Sequence, residues 1–71
     1  MSLSEKYYDP IWRMSETCRQ VGLSRSTIYR LIDLGDFPQP IPLSSKSIGF
    51  VSSEVIAWKE KRMAARNSRE T

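Results

Sequence analysis

The spacing of apolar and polar residues along the chain predicts two short helices joined by a turn that contains glycine. The first helix is expected to begin at Ser15, a good N-cap residue, to end near Gln20 and to be terminated by Gly22. Its apolar residues recur at helical spacing on one side: Met14, Cys18 and Val21. The second helix is expected to have Ser24 as its N-cap and to end at Gly35.

The second predicted helix has two contrasting faces. Leu23 precedes it and Ile28 lies four positions further on, which is the arrangement of a hydrophobic staple. Together with Thr27, its apolar residues are expected on the buried side: Ile28, Leu31, Ile32 and Leu34. The adjoining arc of about 140° carries polar and charged residues: Arg25, Ser26, Tyr29, Arg30 and Asp33. One face is therefore expected to pack on the core and the other to face solvent or a partner.

A proline-rich segment follows the second helix and leads into a predicted β-hairpin. The prolines alternate with other residues and exclude a helix: Pro38, Pro40 and Pro42. Residues 37–43 are therefore expected to be an extended connector that enters an edge strand. Two short apolar runs, 41–43 and 48–50, flank a polar segment with Lys46 near its middle. This pattern predicts a hairpin with a polar, basic tip.

A third helix is predicted near the end of the chain. It is expected to start at Ser52 or Ser53 and to carry Glu54 in its first turn, where the helix dipole favours an acid. Val55 and Trp58 are expected to be buried one turn apart. The chain is then expected to divide into three parts: a flexible or extended arm at 1–11, a winged helix-turn-helix domain at 12–66 and a disordered tail at 67–71.

Composition excludes several kinds of chemistry. With 39% hydrophobic and 27% charged residues, the chain has the ordinary balance of a packed fold. It contains no histidine and one cysteine, so an internal disulfide, Ser-His-Asp or Cys-His catalysis and a metal site are not expected. Cys18 is expected to be a small buried hydrophobic residue. No apolar run approaches the roughly 20 residues of a membrane helix, and we expect a cytoplasmic protein that associates with the nucleoid. Because the residues for these catalytic and metal sites are missing, we also expect that it needs no cofactor and is not an enzyme.

Charge is distributed unevenly. The net charge of +3 is a mild bias, but all basic residues except Lys6 fall in two blocks. The first block is 13–30, with Arg13, Arg19, Arg25 and Arg30, and the second is 46–71, with Lys46, Lys59, Lys61, Arg62, Arg66 and Arg69. Residues 31–45 carry acids only, at Asp33 and Asp36. Segregated blocks predict a surface that faces an anion, and solvated helix faces are the alternative.

The first two helices and their short turn have the spacing of a helix-turn-helix, which points to DNA. The N-terminus of the second helix presents unpaired N–H groups and the positive end of the helix dipole, both of which attract phosphate. Its hydroxyl and guanidinium groups can bind phosphates and base edges: Ser24, Arg25, Ser26, Thr27, Tyr29 and Arg30. The hairpin tip is expected to act as a wing: Ser45, Lys46 and Ser47. Double-stranded DNA is the predicted partner, with a second copy of the chain on a repeated half-site.

Four runs of residues carry a resemblance to a known family: Arg13-Met14-Ser15-Glu16, GLSRSTIYRLIDLGDFPQPIPL at 22–43, Gly49-Phe50 and Glu54-Val55-x-x-Trp58. The chain resembles the AlpA-type prophage regulatory proteins, small DNA-binding proteins related to the MerR-like and excisionase winged helices. By this resemblance residues 24–30 begin the recognition helix and residues 41–50 form the wing. It implies a mainly α fold of three helices with a small β-hairpin.

The resemblance also implies control of integrase or excision genes in a mobile element, with integrase or RNA polymerase as further partners. Activator, repressor and DNA-bending excisionase remain open, because all three could use the same surface. The chain departs from the family pattern at three places: Thr17 stands where an aliphatic residue is usual, Phe50 stands where tryptophan is common, and Ser44-Ser45-Lys46 replaces a tip of glycine and arginine.

A protein-interaction adaptor is the alternative from another class. Its basic surface would meet an acidic protein, and Tyr7, Tyr8 and Trp12 would anchor the contact. Trp12 and Trp58 are more simply interpreted as core residues, although Trp12 is also a candidate for base stacking. The salt dependence of binding to random duplex DNA discriminates between the two classes, because phosphate contacts release counterions.

Overall fold

The chain folds into three helices and a three-stranded sheet, as shown by a computed structural model that describes residues 10–70 and the side chains of residues 10–66. The elements follow one another as β1 (Ile11–Arg13), α1 (Met14–Val21), α2 (Arg25–Leu34), β2 (Ile41–Ser44), β3 (Ser47–Val51) and α3 (Ser52–Glu70). The predicted class is confirmed: a mainly α protein with three helices and a small hairpin, consistent with a winged helix-turn-helix. The limits of the arm and tail stay predictions, since residues 1–9 and 71 lie outside the described part.

The sheet is antiparallel, and β3 lies between β1 and β2. The predicted hairpin is formed by β2 and β3, and β2 is the edge strand that the prolines indicated. β1 is the third strand of the sheet and pairs with β3 through Trp12 opposite Phe50 and Arg13 opposite Gly49. Because Ile41 also pairs with Gly49, both neighbouring strands meet at this glycine.

The core lies between the sheet and the helices. Its buried apolar residues come from five parts of the chain: Met14, Ile28, Phe37, Phe50 and Val55. Partly buried residues surround them: Trp12, Cys18, Val21, Leu23, Leu31, Ile32, Ile48 and Trp58. The ring of Phe37 makes edge contacts with Phe50 at 5.6 Å and with Trp58 at 4.8 Å between centroids. The connector is therefore anchored by aromatic packing, which contributes roughly 0.5–1.5 kcal/mol per pair beyond area burial.

The end of α1 and both ends of α2 are closed as the sequence predicts. Gly22 ends α1 at φ 74°, and its N–H donates to the carbonyl of Cys18. Gly35 ends α2 at φ 77°. A left-handed conformation costs an L-residue with a side chain roughly 1–2 kcal/mol, which explains glycine at both positions. Ser24 is the N-cap of α2, because its Oγ accepts a hydrogen bond from the Thr27 N–H.

The predicted N-cap of α1 is wrong. The helix begins at Met14, Arg13 occupies the N-cap position without a side-chain cap, and Ser15 is exposed in the first turn. The helix therefore begins two residues earlier than predicted, directly after Arg13, the last residue of β1 that pairs with β3. Fully buried Thr17 then donates from Oγ1 to the Arg13 carbonyl at 3.0 Å. Its hydroxyl is thereby satisfied inside the core.

The predicted burial of Leu34 is also wrong, because its side chain is 65% exposed. Ile28 is fully buried and marks the direction of the core. At 100° per residue Leu34 lies about 120° from Ile28 around the helix axis, whereas Leu31 and Ile32 lie within about 60° of it. The connector turns back at once, since the Asp36 N–H donates to the Leu31 carbonyl. Phe37, rather than Leu34, fills the core at this end of α2.

Candidate nucleic-acid interface

The N-terminus of α2 carries a small network of hydroxyl groups. Ser24 Oγ accepts from the Thr27 N–H at 3.3 Å and donates to Thr27 Oγ1 at 2.9 Å. Ser26 Oγ lies 3.3 Å from Ser24 Oγ. Ser24 thus has a structural role as a cap, and the helix end that it holds is exposed. By helix geometry the N–H groups of Arg25 and Ser26 have no intrahelical acceptor and are open to an anion.

Three larger side chains extend the same exposed surface along α2. Arg25, Tyr29 and Arg30 are exposed, Tyr29 to 45%. Residues four positions apart lie on one row of a helix, so Arg25 precedes Tyr29 on one row and Ser26 precedes Arg30 on the next. Among the described residues, neither arginine has a hydrogen-bonding or ionic partner. Both guanidinium groups are therefore available to an external acceptor.

The second group of predicted residues lies at the hairpin turn. Ser45 and Lys46 connect β2 to β3 and are exposed, while Ser47 opens β3 and is partly buried. The Lys46 N–H donates to Ser44 Oγ at 3.2 Å, which supports the tight turn. The Lys46 ammonium group has no partner within the described part of the chain. The structure thus places the predicted wing residues together at a protruding turn.

The carboxylate of Glu16 on α1 is bound by two side chains of the same helix. The side chain of Gln20 donates to Glu16 at 2.7 Å, and the Arg19 guanidinium pairs with the same carboxylate. The hydrogen bond from Gln20, followed by that from Arg19, lowers the pKa of Glu16 below its ordinary value of 4.5. Arg19 therefore differs from Arg25 and Arg30, because an intramolecular carboxylate already occupies its guanidinium group.

Comparison with known proteins decides the family. A family model described as the prophage CP4-57 regulatory protein (AlpA) matches residues 10–63. The chain belongs to the AlpA family of prophage regulatory proteins. It is 41% identical over 66 residues to an uncharacterized protein, ORF88, of Enterobacteria phage P4. That match covers 93% of this chain and 75% of its relative.

The match to the AlpA family spans both parts of the candidate interface. It includes β1, the helix-turn-helix, the hairpin and the first part of α3. The family is a regulatory family and not an enzyme family. Within the described residues no group of three histidine, cysteine, aspartate or glutamate side chains could hold a metal ion. No helix in that part of this AlpA family protein is long and apolar enough to cross a membrane.

The sequence pattern missed two contacts that join α3 to the helix-turn-helix of this AlpA family protein. Lys59 Nζ donates to the carbonyl of Gln20 at 2.8 Å, and Trp58 Nε1 donates to the carbonyl of Asp36 at 2.6 Å. Periodicity could not indicate these contacts, because the partners lie 39 and 22 positions apart in the chain. A backbone carbonyl also leaves no side-chain signature in the sequence.

Proposed function

We propose that this AlpA family protein binds double-stranded DNA sequence-specifically and regulates transcription in a prophage or another mobile element, with integrase or excision genes as its targets. The observation that carries this proposal is the start of α2. There, Arg25 and Arg30 are exposed and have no partner among the described residues, beside a helix end whose first N–H groups are open.

The chemistry of this surface suits the major groove of DNA. An exposed helix can enter that groove, and a guanidinium group can donate two hydrogen bonds to O6 and N7 of guanine. The open N–H groups and the helix dipole favour a phosphate at the N-terminus of α2. Arg25 lies in the first turn and Arg30 more than one turn further along, so they can contact different positions of the site.

The wing adds a contact that is independent of sequence. Lys46 at the hairpin turn is a compact positive charge, which binds phosphate without the planar geometry that reads a base. A single module buries only about 600–1,000 Å² on DNA, so useful specificity favours two copies on repeated or palindromic half-sites. As an activator the protein would also contact RNA polymerase, whereas a repressor needs only to occupy the promoter.

The decisive experiment combines selection with substitution. Sequences bound by the parent are selected from a random duplex library, and the Kd of Arg25→Ala and Arg30→Ala is measured on the selected site. Each substitution is expected to weaken binding, by roughly 1–3 kcal/mol and with relaxed specificity at one position if the arginine contacts a base. Arg19→Ala is the matched control, because it removes the same charge from a guanidinium that Glu16 already occupies. Parent-like affinity in both test variants, or no selected sequence, contradicts the proposal.

Exposed apolar residues on the wing support an excisionase-like architectural role as a second candidate. Ile41 and Leu43 in β2 are 37% and 41% exposed, and apolar side chains of this kind can wedge between base steps in the minor groove and bend DNA. An excisionase would also work beside integrase. Energy transfer between dyes at the two ends of the selected duplex measures the bend. A straight duplex in the complex excludes this role and leaves the regulator intact.

A further inference from the structure

Two consecutive residues of α3 hold the C-terminal ends of both helices of the helix-turn-helix. Lys59 Nζ donates to the carbonyl of Gln20 in the last turn of α1, at 2.8 Å. Trp58 Nε1 donates at 2.6 Å to the carbonyl of Asp36, directly after the glycine that ends α2. One turn of α3 thus contacts the C-terminal end of α1 and the segment that directly follows α2.

The contact at Gln20 uses a carbonyl group that its own helix cannot satisfy. The last carbonyls of a helix have no intrahelical donor, and a cation at a helix C-terminus is favoured by the dipole. Gln20 also lies two residues before Gly22, where the chain reverses towards α2. A contact at Gln20 therefore restrains the turn that delivers the recognition helix.

The support for these contacts is anchored in the core. Val55, three residues before Trp58, is fully buried. The Trp58 ring packs against Phe37 on the connector, and the Arg62 guanidinium lies 4.9 Å from its centroid. The indole is therefore held by packing, a hydrogen bond and a cation–π contact. Restraints from a rigid element of this kind are what bidentate recognition requires.

We propose that Trp58 and Lys59 are positioning residues for DNA recognition: they fix the orientation of α2 relative to the rest of the domain without contacting DNA. This inference rests on the proposed function. Loss of either contact releases the turn or the end of α2, so the bidentate geometry at base edges is lost. Contacts with phosphates tolerate the same displacement, because a point charge has no strict direction.

The test compares Lys59→Met with Lys61→Met. Both substitutions remove an exposed lysine charge from α3, but of these two lysines only Lys59 donates a hydrogen bond to α1 within the described part of the chain. Lys59→Met is expected to lower the ratio of specific to random-duplex affinity roughly two- to fivefold, the range of a cation at a helix C-terminus. Its salt slope on random DNA is expected to match that of the control. Lys59→Arg, which restores a donor, is expected to recover the ratio.

A second measurement needs no DNA and separates this inference from the proposed function. The Gly22 N–H donates to the Cys18 carbonyl, and its hydrogen exchange is expected to be faster in Lys59→Met and unchanged in Lys61→Met. Trp58→Phe, which keeps a ring and lacks the N–H, is expected to have the same effect at Asp36. Parent-like exchange in Lys59→Met overturns the inference even if DNA is bound. An equal fall of specific and random affinity with a smaller salt slope also overturns it, since that is the behaviour of a phosphate contact.

Discussion

At the residue scale, Gly49 in the middle of the sheet is the most closely packed of the three glycines. It pairs with Arg13 on one side and with Ile41 on the other. A Cβ added there would overlap with Ile11 Cγ2 and would lie 3.0 Å from Leu43 Cδ1. The missing side chain lets these two residues approach each other over β3. Gly49 is thus required for close approach and not for an unusual backbone conformation.

Gly49→Ala is expected to destabilise the domain by roughly 1–3 kcal/mol, the usual cost of overpacking, measured by urea denaturation. Because Ile11 is the closest obstacle, the cost is expected to shrink when the substitution is made in an Ile11→Ala background. Gly→Ala elsewhere in a chain often stabilises through the unfolded state. A neutral Gly49→Ala, or an equal cost in both backgrounds, contradicts the clash.

The carboxyl group of Glu16 gives a second test at the residue scale. Its pKa is lowered by Gln20 first and by Arg19 second, so Gln20→Ala is expected to raise this pKa towards 4.5 in an NMR titration. Because the folded pKa lies below the unfolded one, the associated stability is present above the unfolded value and is lost as the pH falls through the folded value. The part of the stability difference between parent and Gln20→Ala that depends on Glu16 ionisation is therefore expected to disappear as the pH falls through the folded pKa. Identical titration curves would show that Gln20 does not contact Glu16 in solution.

At the element scale, the ends of the helices decide the geometry of the interface. The end of α1 and both ends of α2 follow local signals: glycine in the left-handed region and a serine N-cap. The start of α1 does not, because pairing of β1 with β3 determines where the helix can begin. The connector after α2 also contributes at this scale, because it places the Phe37 side chain in the core against Phe50.

Gly22→Val is expected to destabilise the domain by more than about 1 kcal/mol, through the backbone alone. No atom lies within 4 Å of the position where a Cβ would be added, so the neighbours present no obstacle. Gly22→Asn, which tolerates φ near 74° better, is expected to cost less. Equal melting temperatures for Gly22→Val and the parent would show that the turn is not held in this conformation.

At the scale of the whole molecule, the proposed function assigns two separate DNA contacts to this small domain. The start of α2 carries groups that can read bases, and the turn between β2 and β3 carries one lysine. The core is assembled from all three helices, β3 and the connector, so the relative placement of the two sites depends on the whole fold. The two contacts are expected to differ in specificity, because their chemistry differs.

Lys46→Ala is expected to weaken binding about equally on the selected site and on random DNA, and to reduce the log-log salt slope by roughly one. The physical reason is the loss of one phosphate contact and the counterion that it releases. Lys61→Ala, at an exposed position on α3, is the matched control and is expected to keep the parent's slope. If Lys46→Ala also keeps it, the turn is a solvated connector and α2 is the main contact.

The sequence by itself determined the features that depend on neighbouring residues. The stops at Gly22 and Gly35, the cap at Ser24 and the edge position of the proline-containing strand follow from φ, capping and missing N–H groups. Each is a property of a few consecutive residues, so one sequence suffices to predict it. The candidate DNA-contacting residues were found in the same way, since an exposed helix arc has a clear periodicity.

Only the tertiary structure decided the features that join distant parts of the chain. Burial of Leu34 was predicted wrongly because a position at the margin of an apolar stripe is buried only if another element covers it, and Phe37 took that place. Ser15 lies inside α1 and is not its N-cap, because the helix follows directly on Arg13, where the pairing of β1 with β3 ends. The need for glycine at position 49 depends on the side chains of Ile11 and Leu43, which come from two other strands. The hydrogen bond of Lys59 likewise depends on the carbonyl of Gln20 in another helix. Local periodicity contains no information about such partners, because the packing of the whole domain selects them.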